Sequence, residues 1–113
     1  MVRVVIFEKL KKDILKNFKK ESKIIFKQML SLGENPQKGK LLGSVGGIVI
    51  KEIKYKNFRF YFITDGNLLK TLAKEELEEL LMRFVRMSDK KEQQKTINEI
   101  KKVLIKIGPE GFK

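Results

Sequence analysis

Apolar residues in this chain follow two rhythms. Val2, Val4, Val5 and Ile6 form a short β-branched run, and Phe7, Leu10, Ile14 and Phe18 then recur at spacings of three, four and four. The run predicts a strand. The spacing predicts an amphipathic helix, since 3.6 residues per turn bring every third or fourth side chain to one face. Ile25, Met29 and Leu32 predict a second helix, with Ser22 as its N-cap and Gly33 as its stop. Two such helices pack as an antiparallel hairpin. Residues 33–43 are punctuated by Pro and Gly and predict a loop, with Gly43-Ser44-Val45-Gly46-Gly47 as the turn into the next strand.

From Val45 to Thr64 β-branched and aromatic residues take over, interrupted at Lys56-Asn57, which is the mark of a hairpin. A tight turn there sets Tyr55 against Phe58, Lys54 against Arg59, Ile53 against Phe60 and Glu52 against Tyr61. Alternation then puts Val49, Ile53, Tyr55, Phe58, Phe60 and Phe62 on a core face, and Glu52, Lys54, Arg59 and Tyr61 on the other. Asp65-Gly66-Asn67 predicts a turn, Leu68 to Leu72 a continuation of the sheet, and residues 72–81 a small helical insertion. Met82 to Met87 alternates as a further strand. Ser88 or Asp89, with Glu92, forms a capping box for a last helix that carries Ile97, Ile100, Leu104 and Ile107 and ends at Gly108-Pro109. The expected fold is a single α+β domain over residues 1–113 in the order βααβββα. Its curved antiparallel sheet of about four strands packs on an N-terminal helical hairpin and a C-terminal helix.

Composition adds the chemistry. Twenty-six Lys and Arg against fourteen Asp and Glu give +12, with no His, Cys or Trp. Residues 68–81 hold two lysines and four glutamates, a local −2 that leaves +14 on the remainder. Such a balance points to a polyanionic partner. Without His or Cys, the usual general base, thiol nucleophile and zinc ligands are missing, so the chemistry falls to Lys, Arg, Tyr or carboxylates. No apolar stretch approaches the roughly 20 residues of a membrane span, and the apolar N-terminal run is too short for a signal peptide. The expectation is a cytoplasmic protein without membrane association, metal or cofactor.

Lys54 opposite Arg59 is the informative local feature, because like charges directly across a strand pair destabilise it. Glu52, diagonal to Arg59, offers a structural remedy; an anion held between the two cations offers a functional one, with Tyr61 supplying a hydroxyl or a ring on which a base stacks. RNA cleavage by its own 2′-hydroxyl needs a proton acceptor, a proton donor and positive charge around the phosphorane. A lysine among other cations, with an arginine that stays protonated, meets those needs. Lys90, Lys91 and Lys95, following Arg86, extend a phosphate track, and Lys51 and Lys56 flank Lys54 as further RNA contacts. Glu75, Glu76 and Glu79 share helical spacing and read as an exposed charged face.

These segments resemble the RelE/ParE toxin superfamily, and more closely its HigB-like or phage-derived branch. The resemblance rests on Glu34-Asn35-Pro36 with Lys40-Leu41-Leu42-Gly43 after the helical hairpin, on Val49 to Tyr55 followed by Asn57 to Phe62 and Asp65-Gly66, and on Phe84-Val85-Arg86 leading into a basic helix. It implies the toxin of a toxin–antitoxin pair. It further implies ribosome-dependent cutting of mRNA without metal, Lys54 as the proton-transfer group, Arg59 and Arg86 as phosphate and transition-state cations, and an acidic antitoxin that forms a hetero-oligomer with the toxin. The family's basic positions on the second strand fall on Glu52 and Lys54, so the chain departs at Glu52. It also carries Gln93 and Gln94 near a catalytic Tyr of some members, and lacks the His of others. A ParE-like gyrase inhibitor without enzymatic activity and a catalytically silent RNA-binding relative are the alternative readings.

Overall fold

The computed structural model describes residues 3–66 and 81–107. Its elements run β1 (Arg3–Ile6), α1 (Glu8–Phe18), α2 (Ser22–Leu30), β2 (Lys40–Val45), β3 (Ile48–Tyr55), β4 (Phe58–Asp65), β5 (Leu81–Asp89) and α3 (Gln93–Ile107), an α+β arrangement. The five strands lie in the order β1-β5-β4-β3-β2. The β3–β4 register is the one the alternation predicts, with Lys54 opposite Arg59 and Glu52 opposite Tyr61.

Two expectations about the sheet are corrected. Among the described residues it has five strands, and it is mixed, because β1 pairs in parallel with β5. The extra strand is β2, cut from residues that read as loop. Gly46 and Gly47 adopt φ of 57° and 86°, the two positive values of a two-residue hairpin turn, so the chain folds back and β2 pairs with β3 from Lys40 opposite Glu52 to Val45 opposite Ile48. The parallel edge follows from chain path: the helical hairpin carries the chain away before β5 closes against β1, and alternation within β1 holds no information on partner direction.

Each face of the sheet is covered. Leu10 and Ile14 of α1 and Ile25 and Met29 of α2, with Leu32, pack on Ile53, Phe60, Phe62, Met82 and Phe84, the main core. Phe18 meets Phe58 edge-on with ring centroids 4.9 Å apart. Ile97, Ile100 and Leu104 of α3 cover Ile48, Ile50, Tyr61, Ile63 and Val85 on the opposite side. The face that reads as polar in sequence is thus a second core at one end and a charged surface at the other.

Local signals are met unevenly. Ser22 is the first residue of α2, after Glu21 as N-cap, and its buried hydroxyl donates to the Ile14 carbonyl at 3.1 Å, joining the two helices. α2 stops at Leu30 and tightens into a 3₁₀ turn through Gly33, where Ser31 Oγ donates to the Gln28 carbonyl. Asp89 accepts the Glu92 backbone N–H at 2.9 Å, as the capping signal implies, whereas Ser88 faces the sheet. The predicted continuation at Leu68 to Leu72, the helical insertion up to residue 80 and the Gly108-Pro109 stop lie outside the described residues; Leu81 opens β5 instead of ending a helix. Among the described residues no helix is long and apolar enough to cross a membrane.

Candidate nucleic-acid interface

Two rows of residues cross β3, β4 and β5 on the side that α3 covers: Lys54, Arg59 and Ser88, then Glu52, Tyr61 and Arg86. A bulge sits in β5 between the partners of Tyr61 and Phe62, leaving Val85 as the extra residue. With two β5 residues spanning one step of β4, Val85 enters the core beneath α3 while Arg86, its neighbour, shares that face and stays exposed. Arg86 Nη1 donates to the Val85 carbonyl at 3.2 Å. Lys54 on β3 and Arg86 on β5 are thus two inter-strand spacings apart across the sheet and one row apart along it, roughly 12 Å between their main chains, with Arg59 on the strand between them.

Arg59 is the least exposed of the three, at 8 %. Its Nε lies 3.8 Å from Glu52 Oε1, and both atoms are buried without a hydrogen-bond partner. The other carboxylate oxygen of Glu52 accepts from Gln93 Nε2 at 3.1 Å, so the first turn of α3 holds the acid that faces the arginine. Beside them Tyr61 OH and Ser88 Oγ are 2.7 Å apart. Ser88 donates its only hydrogen to the Asp89 carbonyl at 2.9 Å, so the Tyr61 hydroxyl is the donor to Ser88. Burial, above all, raises the Tyr61 pKa and keeps the phenol protonated.

The predicted site residues separate into two groups. Lys54, Arg59 and Arg86 come together, and exposed Lys90 and Lys91 continue from the end of β5 toward Lys95 on the first turn of α3. Lys51 and Lys56 do not join them, and Tyr61 lies among them but beneath the surface. Lys51 points to the helical-hairpin side, 5 % exposed, where its Nζ donates to the Gln37 carbonyl at 3.1 Å and lies 6.0 Å from the Phe62 ring centre. Burial lowers its pKa. Lys56 occupies the β3–β4 turn with φ 53° and pairs with Glu21, which also accepts from the Tyr55 hydroxyl at 3.1 Å. Tyr61 is wholly buried, so its ring offers no platform for a base.

Sequence reasoning missed Gln93 as the partner of Glu52, since the contact joins residues 41 apart on different elements. It also missed Lys38 and Lys40. These stand with Gln28, Gly39, Glu52, Ile53 and Lys54 around a cavity of about 340 Å³ at the margin of β3. The one available signal was that a strand at residue 40 brings Lys40 opposite Glu52.

Comparison of the chain with models of protein families, with curated proteins and with solved structures finds no match.

Proposed function

We propose that the chain is the toxin of a type II toxin–antitoxin pair, an endoribonuclease of RelE/ParE type that cuts mRNA on the ribosome. The observation that supports this most is the juxtaposition of Lys54, Arg59 and Arg86 across three adjacent strands, with Lys90 and Lys91 in continuation. A helical hairpin on one face of the sheet and a closing helix on the other are compatible with that fold family.

In the proposed reaction the 2′-oxygen attacks the adjacent phosphorus and the bond to the 5′-oxygen breaks, leaving a 2′,3′-cyclic phosphate and a 5′-hydroxyl. Lys54, the proton-transfer group exposed at the rim, gives its ammonium proton to the departing 5′-oxygen, while solvent water takes the 2′-hydroxyl proton. Arg86 holds a non-bridging oxygen as charge builds on the phosphorane, and Arg59, buried beside Glu52, adds positive charge from beneath. In-line displacement puts the leaving oxygen opposite the attacking one, and the Lys54 amine regains its proton from the hydronium formed at the 2′-oxygen.

The test is primer extension on translated mRNA with wild type, Lys54→Ala and Arg86→Ala. Both side chains are exposed, so folding survives their loss. Each variant is expected to cut about 10² to 10³ more slowly, the usual effect of removing one transition-state contact. The burial of Arg59 against Glu52 is the observation that favours the rival, a gyrase-directed inhibitor with no reacting centre. Wild type that cuts no translated mRNA but blocks gyrase supercoiling would establish that rival.

A further inference from the structure

The cavity beside Lys54 is not used by the reaction above. It opens where the β2–β3 ladder stops and β3 continues: the ladder begins at Lys40 opposite Glu52, so among the described residues Ile53, Lys54 and Tyr55 have no strand on that side. Tyr55 and Phe58 close a two-residue hairpin and exchange backbone hydrogen bonds with each other. Alternation of the ladder then turns the Lys54 main-chain N–H and carbonyl outward, toward the cavity. Its volume of about 340 Å³ falls at the lower end of small-molecule pockets.

Its lining is chemically lopsided. Lys38, Lys40 and Lys54 are three exposed lysines of that lining, and none makes an ion pair with a described residue. Glu52 is the acid in the wall, but its carboxylate faces Arg59 and accepts from Gln93, so it is already engaged. On the α2 side stands Gln28, whose Oε1 is buried without a hydrogen-bond donor. An unsatisfied acceptor of that kind calls for a donor. Gly39 forms the lip, with φ 105°, and a Cβ there would lie 3.0 Å from the Phe62 ring and 3.1 Å from the Glu52 carbonyl; only glycine lets the Lys38–Lys40 loop approach the sheet this closely.

We propose that this cavity is a nucleotide subsite, taking the residue of the RNA strand next to the cut. The phosphate lies among Lys38, Lys40 and Lys54, and an N–H of the base donates to Gln28 Oε1. The inference rests on the endoribonuclease reading, because Lys54 belongs to both sites and so places the bound nucleotide beside the reacting phosphate.

The test is amide-resolved NMR titration of the whole chain with adenosine monophosphate, adenosine and inorganic phosphate. The monophosphate is expected to shift the backbone amides of Gly39, Lys40 and Lys54 and the side-chain amide of Gln28, and to bind at least tenfold more tightly than either half alone. Lys40→Ala, at an exposed position, should weaken it about tenfold, and Gln28→Leu should narrow its advantage over phosphate. Equal affinity for phosphate and monophosphate, or shifts confined to Arg59, Arg86 and their neighbours, overturns the subsite. No cleavage is needed for this measurement. An active nuclease whose cavity amides stay still loses the subsite alone, whereas an inactive chain that binds the monophosphate as described keeps the subsite and loses the reaction.

Discussion

Glu52 Oε1 stands 3.8 Å from Arg59 Nε, within electrostatic reach but beyond hydrogen-bond distance, and neither atom has another partner. Both side chains are nearly sealed from water, so each is the principal compensation for the other's charge.

Removing one partner should therefore hurt more than removing both. Glu52→Leu and Arg59→Met are each expected to cost about 3 kcal/mol, as when one member of a buried pair is left behind. The double variant should lose less than either single one. Urea denaturation of all four proteins closes the cycle, and strictly additive costs would show that the two charges do not interact. Its place on the polar face, off the aromatic core, makes Arg59 dispensable to the fold on the sequence alone; its burial beside Glu52 reverses that expectation.

Lys51 gives the protein a pH dependence of calculable sign. Burial holds its pKa below the ordinary 10.5, so the unfolded chain keeps the proton to higher pH than the folded one. Stability then rises as pH climbs from the lowered folded value toward 10.5. Lys51→Met removes this penalty. Its advantage over wild type should be largest near neutrality and shrink through the alkaline range, while Tyr55 and Lys56, present in both proteins, cancel in the difference. A pH-independent difference in melting temperature would show that Lys51 is not the group responsible.

Gly39→Ala is expected to destabilise the protein by about 1–3 kcal/mol, the scale of a residue forced into a backbone region reserved for glycine. Two close approaches near 3 Å, one to backbone, add to that strain because the Glu52 carbonyl is fixed in the sheet. Thermal unfolding measures the cost, and a variant as stable as wild type would mean that the loop can move away from Phe62.

RNA binding should weaken steeply with salt, about tenfold or more between low and physiological concentrations, because each neutralised phosphate releases counterions. Replacing Lys54 and Arg86 by Gln should reduce the slope of log affinity against log salt by between 1 and 2, roughly 0.7 to 0.9 for each phosphate that is no longer neutralised. An unchanged slope would place the RNA elsewhere on this +12 chain.

Much of this architecture is written in local pattern. Strand alternation sets Ile53, Phe60 and Phe62 apart from Glu52, Arg59 and Tyr61, and a two-residue turn at Lys56-Asn57 fixes their pairing, because one step of slippage would reverse every side chain. Helical spacing likewise marks Leu10, Ile14, Ile25, Met29, Ile97, Ile100 and Leu104 as buried. The meeting of Lys54 with Arg59 needs nothing beyond that register.

Only the tertiary structure decides what lies over each face. Periodicity tells which side a residue takes but not what covers that side, so the closure of α3 over Tyr61 and the sealing of Glu52 against Arg59 are invisible until the helix is placed. Lys51 is buried on the aromatic side because the loop ending at Gly39 crosses it and supplies the Gln37 carbonyl. β1 lies beside β5, and Gln93 reaches Glu52, for the same reason: these pairings join residues tens of positions apart, and a pattern within one segment carries no record of the segment it will meet.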